Sequence, residues 1–174
     1  VVDSLELNTF EFSQNYFMFW DKLEKANYFL ENIIKSRDES YESRLITHLL
    51  KAPVQDGGQW DMFVNLINKY GAVPKDIMPE TNHSSKSGAM NYILTHKLRE
   101  FASILRKKPA KNSTTLKKDM METIYNLLAM FLGQPPDVIN WSTRNKDNRH
   151  IVISDMTPID FCKKYADINI KDKV

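Results

Sequence analysis

A single cysteine, Cys162, in 174 residues excludes any disulfide within the chain and fits a reducing compartment, with the cytoplasm as the expected setting. Long apolar runs are absent too, which excludes a bilayer-spanning helix. Glycine is scarce, at five residues, and the seven prolines fall between elements, so the chain has no low-complexity stretch and no repeat period. Excess charge of one sign is also missing. With 24 basic and 22 acidic residues the net charge is +2, too small to argue globally for nucleic acid or a membrane as partner. The opening residues, Val1-Val2-Asp3-Ser4-Leu5-Glu6, lack the basic start and apolar run of a signal peptide and carry no initiator methionine. From that we expect the chain to begin inside a longer one.

What is present is an ordinary globular composition, 42% hydrophobic and 26% charged, sufficient for one good core. The hydrophobic periodicity predicts a mainly α fold. Tyr16, Phe19, Trp20, Leu23, Ala26, Leu30 and Ile33 recur every three or four positions behind Ser13, a natural N-cap. A short helix is expected from Arg44 to Leu50, ended by Pro53. Another opens after Gly57-Gly58, with Trp60, Phe63, Val64, Ile67 and Tyr70 as its stripe and Gly71 as a left-handed cap. Residues 73–86 read as an extended connection. Met90 to Leu105 and Leu116 to Phe131 form two helices around a turn at Ala110 to Ser113, an antiparallel hairpin. Residues 134–154 read as loop with one short strand at Ile151-Val152-Ile153. A last short helix starts at Thr157-Pro158, and the tail from Asp167 is polar.

Few residues carry chemistry. Cys162 lies in an ordinary amphipathic turn, Ile159-Asp160-Phe161-Cys162-Lys163-Lys164, and reads as structural. His48, His83, His96 and His150 are scattered without metal-ligand spacing, and no metal or cofactor is implied. Gly57-Gly58 allows backbone to approach a bound group closely, although Gln59-Trp60-Asp61 after it departs from a phosphate loop. On local grounds this is either a tight turn or a backbone binding site. Lys97, Arg99, Arg106, Lys107, Lys108, Lys111, Lys117 and Lys118 form a basic cluster with no aromatic residue from Arg106 to Lys118, which reads as a solvated hairpin tip or, alternatively, a nucleic-acid contact centred on Arg106, Lys107, Lys108 and Lys111.

Several stretches together resemble one family. Phe10-Glu11-Phe12-Ser13-Gln14-Asn15-Tyr16 running into Phe19-Trp20-Asp21-Lys22, Gln55-Asp56-Gly57-Gly58-Gln59-Trp60-Asp61-Met62 and Lys69-Tyr70-Gly71-Ala72-Val73-Pro74-Lys75 are similar to segments of bleomycin hydrolase and the bacterial aminopeptidase C enzymes. So, in order, are Met78-Pro79-Glu80, His96-Lys97-Leu98-Arg99-Glu100-Phe101, Leu132-Gly133-Gln134-Pro135-Pro136, and Thr157-Pro158 with Phe161. The resemblance implies the helix-rich half of a papain-like (α+β) cysteine peptidase. On that basis residues 1–80 hold the helical part with the cleft wall, and 81–174 a helical-hairpin insertion and connecting segment. It further implies that Gly57, Gly58, Gln59 and Trp60 face a peptide substrate and that the hairpin from Lys86 to Leu132 helps build a hexameric ring. Family catalysis uses a glutamine and a cysteine expected upstream of Val1, and a histidine and an asparagine expected downstream of Val174. Cys162 falls where the family's short helix has a non-catalytic aromatic residue, so no catalytic residue is assigned within the chain.

Overall fold

The computed structural model describes residues 1–166, and the polar tail read from Asp167 onward lies outside the described residues. Eight α-helices and one two-stranded sheet are seen among them. They are α1 (Val2–Leu5), α2 (Gln14–Lys35), α3 (Arg44–Lys51), α4 (Trp60–Tyr70), α5 (Asn82–Ser85), α6 (Gly88–Lys107), α7 (Ser113–Leu132), β1 (Ile139–Arg144), β2 (His150–Met156) and α8 (Pro158–Phe161).

The central element is α2. Ser13 has extended backbone and its Oγ accepts from the Tyr16 N–H at 3.0 Å, so the predicted cap is in place. The same hydroxyl donates to the Met78 carbonyl at 2.5 Å, tying the helix start to the segment after α4. Phe19, Ala26, Phe29, Leu30 and Ile33 are buried along one face. Against that face pack α6 and α7, an antiparallel hairpin turned by a 3-10 turn at Ala110–Asn112. Met90, Leu94, Leu98, Phe101 and Leu105 face inward from α6, and Met120, Ile124, Leu128 and Leu132 from α7. Each large apolar side chain buried there contributes roughly 1.5–3 kcal/mol relative to exposure.

Two arginines close the end of this layer reciprocally. Arg37, just past α2, donates to the Leu105 and Lys108 carbonyls, while Arg106 of α6 donates to the Ser36 carbonyl at 2.9 Å. Each cation thus serves the unpaired carbonyls at the other helix's C-terminus.

Four expectations need correction. Gly71 has positive φ (73°), but its ψ of −154° is not that of a left-handed helical cap. A Cβ there would lie 2.3 Å from the Pro158 carbonyl, so glycine is required by close backbone approach. Residues 73–86 are not wholly extended, because Thr81 and Ser84 form a reciprocal capping box that starts the single turn α5. Residues 134–138 and 145–149 are loop and turn as read, but a second strand stands between them, since β1 pairs antiparallel with β2 from Ile139↔Met156 to Arg144↔His150, with an irregularity between Ile139 and Trp141. Finally, α4 buries Val64 and Leu66, whereas Trp60 remains 48% exposed and leaves the predicted stripe.

Candidate functional site: the glycine loop and its polar staples

Between α3 and α4 the chain runs through Pro53-Val54-Gln55-Asp56-Gly57-Gly58-Gln59. Residues 55–58 make no backbone–backbone hydrogen bond among the described residues. Their order comes from two lysines a turn apart on α2. Lys22 lies on the buried face between Phe19 and Ala26, its side chain 1% exposed. Its Nζ donates to the Val54 carbonyl at 2.7 Å and to Asp56 Oδ1 at 2.5 Å. Lys25 Nζ donates to Asp21 Oδ2 at 2.6 Å, to the Gln55 carbonyl at 3.0 Å and to the Gly57 carbonyl at 2.6 Å.

Asp56 divides its oxygens. Oδ2 accepts from Ser87 Oγ at 2.7 Å and from Asn91 Nδ2 at 2.9 Å, which connects the loop to the start of α6. Partial burial pushes the Asp56 carboxyl up, but hydrogen bonds from Lys22, Ser87 and Asn91 outweigh it and hold its pKa at about 2. For Lys22 burial prevails and lowers the pKa, opposed by the hydrogen bond and charge of Asp56. A buried ammonium keeps its charge at low cost only with such partners.

The four residues expected to meet substrate are brought together here. Gly57 has φ +91°, a conformation that suits glycine. Gly58 is exposed, and neither its N–H nor its carbonyl has a partner among the described residues. Gln59 is the extended residue before α4, and Trp60 is that helix's exposed first residue. Gly57, Gly58 and Gln59 line a cavity of about 360 Å³ whose apolar wall includes Phe17, Met62 and Phe63; Trp60 stands outside it. A larger cavity of about 580 Å³ lies behind the loop, between α2, α3 and α4. Its charged rim is self-paired through Lys25–Asp21 and Lys69–Glu24, and Gly57 and Gly58 do not line it.

The basic cluster, by contrast, is dispersed. Lys97 pairs with Glu100 at 3.0 Å, and Lys117 pairs with Glu31. Arg99 donates to the Leu50 and Lys51 carbonyls. Arg106, besides serving Ser36, donates to the Glu39 carbonyl and stacks over the Tyr41 ring at 4.3 Å. Lys107, Lys108, Lys111 and Lys118 remain exposed. Cys162 is half-buried and burial pushes its thiol pKa up, the reverse of what an activated nucleophile needs. No three His, Cys, Asp or Glu side chains gather as a metal site among the described residues, and none of their helices is long and apolar enough to cross a membrane.

The sequence singles out the glycines but not Lys22, Lys25, Asp56, Ser87 and Asn91, which hold the loop around them. For Lys22 a signal existed: it stands three residues after Phe19 and four before Ala26, on the apolar face.

This is a helix-rich scaffold that presents an unpaired glycine backbone beside an apolar hollow. The model of the Peptidase C1-like family matches residues 1–174, and the chain belongs to that family. It is 52% identical over 173 residues to aminopeptidase C of Listeria innocua, covering 98% of this chain and 39% of that protein. It is 39% identical over 179 residues to bleomycin hydrolase of Oryctolagus cuniculus, covering 98% of this chain and 65% of that sequence. The crystal structure of PepW from Lactobacillus rhamnosis HN001 superposes with a TM-score of 0.93 at 43% identity, covering 98% of this chain and 40% of that one. The chain therefore spans about 39% of the length of its aminopeptidase C relative.

Proposed function

We propose that this chain is the non-catalytic cleft wall of a thiol-dependent aminopeptidase similar to aminopeptidase C, with a peptide as substrate. The observation that carries the reading is Gly58, exposed with both backbone groups unpaired beside the 360 Å³ hollow. An extended peptide has the same need for partners. Its carbonyl accepts from the Gly58 N–H, its N–H donates to the Gly58 carbonyl, and an adjacent side chain enters the apolar hollow, as in strand addition. Gln59 and Trp60 flank that contact.

Cys162 supplies no chemistry in this reading. Peptide hydrolysis by a thiolate needs a paired histidine to take and return the proton. Those groups come from parts of the full-length protein other than these residues. Residues 81–174 form the insertion and its connection; its exposed Tyr92, Ile93 and Met130 are the surface offered to other subunits of a ring, in a reducing compartment such as the cytosol. The test is turnover of a fluorogenic aminoacyl amide by the full-length protein, with and without a thiol alkylator. Turnover abolished by alkylation is expected; activity indifferent to it contradicts the proposal.

A further inference from the structure

We infer that Lys25 and Asp56 are positioning residues that aim the Gly57–Gly58 peptide unit at the substrate, and that Asp56 fastens this aim to the start of α6. The inference rests on the reading of the glycine loop as a cleft wall. In a trans peptide the C=O and the following N–H point in opposite directions, and there is no cis peptide bond among the described residues. The Gly57 carbonyl and the Gly58 N–H belong to one such unit. Lys25 Nζ, 2.6 Å from the Gly57 carbonyl, draws that oxygen toward α2 and turns the Gly58 N–H away from it. Two consecutive glycines have no side chains to resist rotation of this unit, and residues 55–58 form no backbone–backbone bond that would do so. The polar staples are what fixes it.

Lys25 is fully committed to that task. Its three donors meet Asp21, Gln55 and Gly57, so none is left for substrate. Asp56, one residue earlier, is held on opposite oxygens by α2 through Lys22 and by α6 through Ser87 and Asn91. The direction of the Gly58 donor is thereby referred to both helices.

The experiment is steady-state kinetics on the full-length protein. Lys25→Met removes the bond to Gly57, and we expect KM to rise by about fivefold with kcat within about twofold, the signature of lost uniform binding. Lys25→Arg, which keeps the cation and its donors, returns most of the wild-type KM. The double variant Ser87→Ala/Asn91→Ala releases the α6 side without stranding a buried charge and raises KM by roughly two- to threefold. Should Lys25→Met fail to fold, the double variant decides. Wild-type KM in Lys25→Met, or in the double variant where Lys25→Met does not fold, overturns the positioning role. If Gly58→Val raises KM while Lys25→Met and the double variant do not, the cleft wall stands and only the positioning role is lost. If Gly58→Val is also silent, the cleft reading has failed and takes this inference with it.

Discussion

The α6–α7 hairpin and the Gly57–Gly58 loop both lean on α2, but they are ordered by different forces. The hairpin is held by apolar side chains that repeat every three or four residues and meet Phe19, Ala26, Leu30 and Ile33. The loop contributes little apolar surface of its own. Its shape is imposed by ammonium groups on carbonyl oxygens and by a carboxylate shared between two helices. Apolar order tolerates small shifts and is cheap to maintain, whereas polar order fixes direction. The pairing with a peptide backbone proposed for this surface needs direction.

The largest effect should come from the apolar side of this contrast. Phe19 is fully buried and packs edge-on against Tyr125 at 5.1 Å. Phe19→Ala in the full-length protein should cost about 3–5 kcal/mol in denaturant unfolding. A loss below 1 kcal/mol would mean that packing on α2 is not what holds the hairpin. Next comes Gly71→Ala. The new methyl meets the Pro158 backbone at 2.3 Å in a positive-φ conformation, and a loss on the order of 1–3 kcal/mol is expected. An unchanged Tm would show that α4 and α8 can separate freely.

The polar side should show itself in acid. The Asp56 carboxyl has a pKa of about 2 in the fold, below the value near 3.9 of an unfolded chain. As pH falls, the unfolded state therefore takes up the proton first. The stabilisation from Asp56 is complete above about pH 4 and is lost as pH falls toward about 2. The Tm gap between wild type and Asp56→Asn should shrink across that window and stay constant above it. A gap that persists at pH 2 would assign the loop's order to something other than this charge. Because the Asp56 side chain is 53% exposed, solvent screens the effect and keeps it smaller than the two above.

The same contrast explains what could be read from the sequence. Periodicity and caps are local, so Ser13 before α2, Thr157 before α8 and the faces of α6 and α7 were legible in advance. The glycine pair was legible as a break before α4, where Gly57 takes positive φ. Lys22 was readable as a cation on the apolar face of α2, but its partners Val54 and Asp56 come to it from across the fold. Strand β1 was obscured because Asn140, Ser142 and Arg144 point outward and leave only Ile139 and Trp141 buried. Its turn depends on Asn145, whose Oδ1 accepts from the Asp147 and Arg149 N–H groups. Trp60 looked like core because its spacing fits the α4 stripe, yet at the first helical position it stays in solvent.

The most direct test of the central claim is the kinetics of Gly58→Val in the full-length protein. A Cβ at Gly58 meets only the flexible Met62 side chain at 3.7 Å, and Gly58 does not have positive φ, so the substitution leaves the fold unstrained. The account predicts an unchanged Tm together with a KM raised by about tenfold or more, as the branched side chain covers the open backbone groups. Wild-type KM from equally stable protein would contradict it.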